Sequence, residues 1–264
     1  MIPKIIHQTW KTETIPERWK DAVDSCKTLH PGYRYILWTH QTMRKFVQKF
    51  YPDFYPTYRA YSHDIQRCDA FRYLVLYKYG GIYLDLDLVC KKKLNDLLHY
   101  DLVVARSPNI PSAYINAFFM VIPKHPFILF CIEALPKYKD HSFSYFVNSI
   151  HVMNSTGPLF LKQMVHEYGK NKIPNAHFMN RAEFSGDCRL CNVEECKGGE
   201  YFQQIVGRSW IEWDFYLYFL GTCHSTEIVA GLLLATLVGS EYYYWTSSSL
   251  ATGDISSREK EMFF

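Results

Sequence analysis

The sequence predicts an α/β fold in which helices cover a mostly parallel central sheet. Its 264 residues, 48% of them hydrophobic, are enough for one sizeable core, and 21% charged residues is typical of a globular chain. Short apolar runs alternate with segments of helical spacing along most of the sequence. This order of elements is typical of layered α/β proteins with parallel strands.

The first fifty residues contain two pairs of a strand and a helix. Apolar runs predict the strands, and apolar residues three or four positions apart predict the helices. The predicted strands span residues 2–9 and 34–39, and the predicted helices span residues 19–29 and 41–50.

A longer helix is predicted over residues 63–79. It ends at Gly80-Gly81, a pair that is typical of a helix stop before a turn. Its apolar residues recur with helical spacing: Ile65, Cys68, Phe71, Val75 and Tyr79. A strand over residues 82–89 follows directly. Beyond it, the predicted strands span 102–106 and 117–122, and the predicted helices span 127–135 and 159–168.

The composition changes near Asp214, so we divide the chain into residues 1–214 and 215–264. Residues 228–239 form an apolar run between two glutamates, much shorter than the roughly twenty residues of a spanning helix. A buried or interfacial helix is therefore favoured over a membrane span. Aromatic residues flank the run, which suggests association of residues 215–245 with a membrane surface. Packing of this segment on the sheet is the alternative.

The charge pattern argues against nucleic acid as a partner. The net charge is +3, and the densest basic cluster is Lys91-Lys92-Lys93, without the basic stripe of a nucleic-acid-binding protein. The first residues lead directly into the first predicted strand, so no N-terminal signal or anchor is visible.

The eight cysteines fall into two groups. Three of them lie within nine residues, and a disulfide, a loose cluster of thiols or a zinc site completed from elsewhere are all open for these: Cys188, Cys191 and Cys196. The other five are isolated, and we expect them to be small core residues: Cys26, Cys68, Cys90, Cys131 and Cys223. Neither group identifies a redox compartment.

An acidic pair stands out in the strand predicted over residues 82–89. In an extended strand, Tyr83, Asp85 and Asp87 point to one side, with the two carboxylates about 7 Å apart. Buried carboxylates are unfavourable unless they are paired, and a hard cation such as Mg²⁺ or Mn²⁺ would compensate them. A solvated strand edge is the alternative. On the preceding helix, Asp69 and Arg72 share a face, either as a ligand-binding pair or as an intrahelical salt bridge.

These residues carry a resemblance. Cys68-Asp69-Ala70-Phe71-Arg72-Tyr73 and Tyr79-Gly80-Gly81-Ile82-Tyr83-Leu84-Asp85-Leu86-Asp87 resemble the DXD sugar-binding region of a glycosyltransferase family. That family includes fungal α-1,6-mannosyltransferases, inositol phosphorylceramide mannosyltransferases and α-1,4-galactosyltransferases. Residues 2–10 are similar to its first strand. The likeness is strong over residues 1–125, weaker to residue 214 and absent beyond.

The resemblance implies a GT-A-type, Rossmann-like nucleotide-sugar-binding fold, a nucleoside-diphosphate sugar donor and retention of anomeric configuration. It also implies roles for the matched positions. Trp10 would stack on or border the donor base, and Tyr83 would line the sugar pocket. Asp69 and Arg72 would bind sugar hydroxyls or ribose. Asp85 would contact ribose or metal-bound water, and Asp87 would ligate Mn²⁺ or Mg²⁺.

Three further positions follow from the resemblance. Asn116 stands where the family has an asparagine near the sugar, although a turn residue at the start of a strand is the alternative. Arg208, Ser209 and Trp210 match a closing motif that folds over the diphosphate. Many relatives have a histidine six residues before that tryptophan. Here the position is Gln204, a neutral ligand at best.

The resemblance therefore implies a retaining hexosyltransferase with Asp85, Asp87, Arg72 and Trp210 as its catalytic residues. GDP-mannose is the favoured donor, with a UDP-sugar as the alternative. The acceptor would be a glycan or glycolipid hydroxyl. The location would be the Golgi or another endomembrane in a eukaryote, and otherwise the cytoplasm or a membrane. Two other functions are considered. A protein that binds a nucleotide-sugar without turnover would keep the same motif. A nucleotidyltransferase would need a glycine-rich triphosphate loop near the first strand, which the sequence lacks.

Overall fold

The computed structural model describes residues 1–107, 112–140, 148–186 and 198–205. The chain divides into two compact units, Met1–Asp214 and Phe215–Phe264, and every described residue belongs to the first. Eight strands are described: β1 Ile5–Trp10, β2 Arg34–Thr39, β3 Gly81–Leu84, β4 Leu88–Cys90, β5 Leu102–Arg106, β6 Tyr114–Val121, β7 Ala176–Met179 and β8 Phe202–Gln204.

Helices connect most of these strands. Eight α-helices are described: α1 Glu17–Leu29, α2 His40–Phe50, α3 Tyr55–Ala60, α4 Asp64–Tyr79, α5 Pro126–Tyr138, α6 Asn148–Ser155, α7 Pro158–Tyr168 and α8 Arg181–Phe184. Short 3₁₀ turns lie at Asn95–Leu97 and Lys170–Lys172.

The main sheet has six strands in the order β2-β1-β3-β6-β5-β7. The pairings β1–β2, β1–β3 and β5–β7 are parallel, and the two pairings of β6 are antiparallel. The α/β class with a mostly parallel sheet is therefore confirmed. Separate apolar cores cover the two faces of the sheet. The side chains on both faces of β3 are therefore buried: Tyr83 lies in one core, and Ile82 and Leu84 lie in the other.

The junction between α4 and β3 determines the position of β3, the strand that leads to Asp85 and Asp87. The predicted glycine stop is confirmed, because α4 ends at Tyr79 and Gly80 has a φ of +62°. Gly81 has a φ of +101°, and a Cβ there would lie 2.7 Å from the carbonyl oxygen of Ile5. Only glycine allows β3 to lie this close to β1.

The prediction of one continuous strand over residues 82–89 was wrong. β3 ends at Leu84, the chain turns at residues 85–87, and Leu88 begins a strand that pairs with β8 in a second sheet. The Leu88 N–H donates to the Asp85 carbonyl across the turn, at 3.4 Å. The strict alternation of polar and apolar residues continues through the turn, so the pattern alone could not show the break.

The prediction that the isolated cysteines are small core residues was only partly correct. Cys26 and Cys90 are buried as expected, but they form a disulfide, because α1 packs directly on β4. Cys131 is buried and free, and Cys68 is free and partly buried. The cluster Cys188, Cys191 and Cys196, together with Cys223, lies outside the described residues.

Within the described ranges, no helix is long and apolar enough to cross a membrane. The apolar run at residues 228–239 falls outside those ranges, so its predicted role at a membrane surface stays a prediction.

Candidate functional site

A cavity of about 280 Å³ opens beside the carboxyl ends of β1 and β3. Five residues predicted as site residues line it: Trp10, Arg72, Tyr83, Asp85 and Asp87. The structure thus brings together residues from the first strand, the long helix α4 and the turn after β3. Thr9, Trp19, His63 and Cys68 line the same cavity. Nothing in their sequence spacing indicated this, because their contribution depends on the packing of α1 and α4 around the strand ends.

We call residues 85–87 the acidic turn. Its first member, Asp85, is held at the cavity wall by its backbone N–H, which donates to the carbonyl of Ala117 at 2.9 Å. The Asp85 carboxylate accepts a hydrogen bond from the Tyr83 hydroxyl at 3.0 Å and lies 3.7 Å from an Arg72 nitrogen. Removal from bulk water raises the pKa of Asp85, and the Arg72 charge opposes that rise.

Asp87 is the less compensated member of the acidic turn. Its Oδ2 accepts a long hydrogen bond from the Gln204 amide at 3.4 Å, while its buried Oδ1 has no partner among the described residues. Burial raises the pKa of Asp87 to about 7, and the negative charge of Asp85 contributes to the rise. The acidic turn therefore contains more negative charge than the described side chains around it compensate.

A buried ion pair lies directly behind the turn. Arg72 Nη2 contacts Asp69 Oδ1 at 2.6 Å, with side chains only 3% and 5% exposed. The second Asp69 oxygen accepts from the Thr156 hydroxyl at 3.0 Å. Arg72 also donates to the Asn116 carbonyl, and its guanidinium lies 4.6 Å from the centre of the Tyr83 ring. Burial raises the pKa of Asp69 to about 6, against the opposing charge of Arg72.

Asp69 and Arg72 were interpreted either as a ligand-binding pair or as an intrahelical salt bridge, and the structure bears on both. The intrahelical salt bridge exists, but it is buried and it extends to the acidic turn through Arg72. Arg72 reaches the cavity wall, whereas Asp69 and Asn116 lie beneath it. Asn116 is inside β6 rather than in a turn at its start, so that alternative was wrong. The sugar-binding roles of Asp69 and Asn116 stay predictions.

Aromatic side chains form the wall next to the acidic turn. Trp10 ends β1 and meets Trp19 edge to face, with ring centres 4.7 Å apart. Leu86, between the two aspartates, packs with Trp19 and Val23 in a small apolar cluster. This cluster anchors the turn while leaving Trp10 at the cavity, where a planar ring could stack on it.

Three residues of the predicted closing motif, Arg208, Ser209 and Trp210, lie outside the described residues. Gln204 is described, and it lies next to Asp87.

The residues present fit a divalent cation. The described part of the chain contains no group of three His, Cys, Asp or Glu residues that could hold a metal. However, Mg²⁺ is typically bound through one or two carboxylates together with substrate phosphates. Asp87 lines the cavity, and its carboxylate has an oxygen, Oδ1, that no described residue contacts by a hydrogen bond. A cation shared with a phosphorylated ligand therefore suits the acidic turn.

Comparison with known proteins gives a consistent result. Residues 16–104 match the family model described as "Glycosyltransferase sugar-binding region containing DXD motif". Inositol phosphoceramide mannosyltransferase 3 of Schizosaccharomyces pombe is 41% identical over 83% of this chain and 59% of its own length. Inositol phosphoceramide mannosyltransferase 2 of the same yeast is 37% identical over 92% of this chain and 68% of its own length.

A third relative is a mannosyl phosphorylinositol ceramide synthase of Saccharomyces cerevisiae, 41% identical over 80% of this chain and 52% of its own length. The chain thus spans between about half and two thirds of these relatives. Among solved structures, PaToxG glycosyltransferase matches with a TM-score of 0.48 and 19% identity, over 64% of this chain and 70% of that one.

Proposed function

The chain belongs to the glycosyltransferase family whose sugar-binding region contains a DXD motif, and we propose that it transfers mannose from a nucleoside-diphosphate sugar to a glycolipid. GDP-mannose is the favoured donor, with a UDP-sugar as the alternative. The observation that carries the proposal is the acidic turn: Asp87 lines a cavity that Trp10 and Arg72 also line, and one of its carboxylate oxygens has no hydrogen-bond partner among the described residues. Its GT-A-type α/β fold agrees with this function.

Each side chain at the cavity has a task in this proposal. Trp10 stacks on the base, and Tyr83 borders the sugar. Asp87, with Asp85 behind it, holds Mn²⁺ or Mg²⁺, which when bound supplies positive charge to the departing diphosphate. Arg72 adds a fixed positive charge beside Asp85, which favours the ionised form of that carboxylate.

We further propose that the reaction retains the anomeric configuration. Arg72 lies on the cavity wall, while its partner Asp69 is buried behind it and engaged by Thr156. Asp69 is therefore not presented as a nucleophile, and the other described carboxylate that lines the cavity outside the acidic turn, Asp64, is paired with Arg67. Attack of the acceptor hydroxyl on the face that the diphosphate leaves, with the leaving phosphate taking the proton, is the route that fits. Ser209 and Trp210 would close over the diphosphate.

The acceptor proposal rests on the relatives. Two of them are named for inositol phosphoceramide, and they share 41% and 37% of residues over most of this chain. We therefore propose a glycolipid with an inositol phosphate head group as acceptor. Residues 215–245 would bring the protein to the membrane surface that contains this lipid. A chain ending at Asp214 should then lose binding to lipid vesicles in a flotation assay but stay folded, whereas aggregation would indicate that the tail completes the core.

The disulfide bears on location. Disulfides form and persist mainly in oxidising compartments. The bridge between Cys26 and Cys90 therefore supports the lumen of the Golgi or another endomembrane compartment as the site of action.

A donor screen tests the proposed function. The full chain is incubated with inositol phosphoceramide in detergent, with Mn²⁺, and with GDP-mannose, UDP-galactose or UDP-glucose in turn. We expect mannosylated lipid from GDP-mannose only, and none with EDTA. The one-bond coupling between C1 and H1 of the transferred mannose, measured by NMR, should show the α configuration of the donor. Nucleotide-sugar binding without any transfer would favour the non-catalytic alternative.

A further inference from the structure

Asp64 is a carboxylate of the cavity wall that lies outside the acidic turn. It is the first residue of α4, and its neighbours in the chain, His63 and Ile65, line the same cavity. The Asp64 side chain is 61% exposed, so a ligand in the cavity can reach it. The tasks proposed above for Trp10, Tyr83, Arg72 and the acidic turn leave this carboxylate without a role.

Arg67 fixes one oxygen of Asp64 and leaves the other available. Arg67 Nε and Nη2 both donate to Asp64 Oδ1, at 3.1 and 2.7 Å, and Nη1 donates to the Tyr61 carbonyl. Asp64 Oδ2 has no hydrogen-bond partner among the described residues, since His40 Nδ1 lies 3.9 Å away, beyond hydrogen-bond distance. The hydrogen bond from Arg67 lowers the pKa of Asp64. The carboxylate is therefore ionised at neutral pH and can only accept hydrogen bonds.

Lys11 connects Asp64 with the aromatic part of the cavity wall. It follows Trp10 in the chain, and its Nζ lies 5.9 Å from the centre of a Trp10 ring. The positive charge of Lys11 also contributes to the lowered pKa of Asp64. Trp10, Lys11 and Asp64 all line the cavity. A stacking surface and an ionised acceptor therefore belong to the same part of the site.

The bases of the two candidate donors offer different groups to a carboxylate. Guanine has two adjacent donors on its pairing edge, N1–H and the 2-amino group, and one oxygen with two lone pairs can accept from both. Uracil has a single N3–H between two carbonyl oxygens, which a carboxylate repels. An ionised acceptor at the edge of a stacked base therefore favours guanine by attraction and disfavours uracil by repulsion.

We propose that Asp64 selects guanine as the base of the donor. Its Oδ2 accepts hydrogen bonds from N1–H and the 2-amino group of a guanine that stacks on Trp10, while Arg67 fixes the carboxylate through Oδ1. This inference rests on the proposed function, because it assumes that the nucleotide of a sugar donor occupies the cavity.

Binding of GDP, IDP and UDP to the full chain tests the inference, measured by calorimetry in the same Mn²⁺ buffer. The three nucleotides share ribose and diphosphate, and IDP differs from GDP only in lacking the 2-amino group. The wild type should bind GDP most tightly, then IDP, then UDP. Asp64→Ala should weaken GDP binding about 10-fold, as expected for hydrogen bonds to a charged group. It should weaken IDP binding less, and UDP binding not at all.

Glu17→Ala is the matched control. Glu17 is also the first residue of a helix and pairs with a cation three positions later, Lys20, but it does not line the cavity. This variant should keep the wild-type order and affinities. Asp64→Asn is a second test, because it keeps the side-chain shape and removes the charge. It should also lower the ratio of GDP to UDP affinity. Melting temperatures show whether each variant is folded.

The ratio of GDP to UDP affinity decides the outcome, because loss of a negative charge from the cavity affects the binding of all three diphosphates alike. A wild-type ratio in Asp64→Ala and Asp64→Asn overturns the inference, as does equal affinity of the wild type for GDP and UDP. Neither result affects the proposed transfer, which the donor screen measures separately. Guanine selection that depends on Asp64, without any transfer to lipid in that screen, supports the inference and overturns the proposed function.

Discussion

The buried ion pair and the acidic turn lie side by side but are compensated differently. In the ion pair, each oxygen of Asp69 has a partner from the chain itself, Arg72 on one side and Thr156 on the other. In the acidic turn, one oxygen of Asp87 has no partner within the described residues, and the other has only a long hydrogen bond. Arg72 connects the two regions, 3.7 Å from Asp85.

This difference predicts different roles for the two regions, stability of the fold for the ion pair and activity for the acidic turn. Burial raises the pKa of both Asp69 and Asp87, to about 6 and about 7. At Asp69 an internal cation opposes this effect, so the folded chain needs nothing else. At Asp87 the largest electrostatic effect comes from another carboxylate, and among the described side chains only a long hydrogen bond from Gln204 and the more distant charge of Arg72 favour its ionised form. We therefore expect mutations in the ion pair to affect folding most, and mutations in the turn to affect activity most.

Removing the ion-pair cation should have the largest effect. Arg72→Ala leaves Asp69 buried without its cation, and breaking a buried pair in this way typically destabilises a protein by about 3–5 kcal/mol. Urea unfolding measures the loss. Donor binding should also fall, measured at a temperature where the variant is folded.

The same helix offers a matched control for that change. Arg67→Ala removes an ion pair of the same spacing, in which Arg67 and Asp64 are 24% and 61% exposed. It should reduce stability by less than about 1 kcal/mol. Equal losses in the two variants would show that burial does not distinguish the two pairs. Wild-type donor kinetics in Arg72→Ala would show that the buried pair is a salt bridge without a role in donor binding.

Removing one charge of the acidic turn should reduce activity much more than stability. Asp87→Asn should lower transfer about 10²–10³-fold, comparable to the loss of one strong electrostatic contact to a transition state. Stability in EDTA should be equal to or above that of the wild type, because a buried negative charge beside Asp85 is gone. Transfer rates and melting curves measure the two effects. Full activity, or a drop in melting temperature like that of Arg72→Ala, would contradict the expected difference between the ion pair and the acidic turn.

The smallest effect is expected at the edge of the ion pair. Thr156→Val keeps the side-chain shape but removes the hydroxyl that donates to Asp69, a loss of about 1.5–3 kcal/mol for a bond to a charged group. Thr12→Val is the control, because its hydroxyl bond is exposed. Urea unfolding of both variants should show a clear loss only for Thr156→Val. If the losses are similar, Thr156 does not stabilise the buried pair.

The local elements could be predicted because they depend on neighbouring residues. The bounds of β2 and β5 agree with the sequence prediction, and α4 begins one residue late and ends where Gly80 requires. The motif resemblance also identified the five predicted residues that line the cavity, with roles that the donor and metal experiments test.

What the sequence missed depends on contacts between distant segments. β3 ends at Leu84 because the residues after the turn pair with β8, more than a hundred positions later. The contacts of Asp69 with Thr156 and of Asp87 with Gln204 join elements that no periodicity connects. The Cys26–Cys90 bridge required knowing that α1 packs on β4.

The Cys26–Cys90 bridge can form before the rest of the chain has been synthesised. It joins residues 64 positions apart and encloses β2, α2, α3, α4, β3 and the acidic turn in one covalent ring. The ring can close as soon as Cys90 has been synthesised and exposed to an oxidant, before β5–β8 exist. Chains made in a reducing cytosol would have this ring open, and a non-reducing gel would distinguish the two preparations. Recombinant material for the experiments above should therefore be produced in an oxidising compartment.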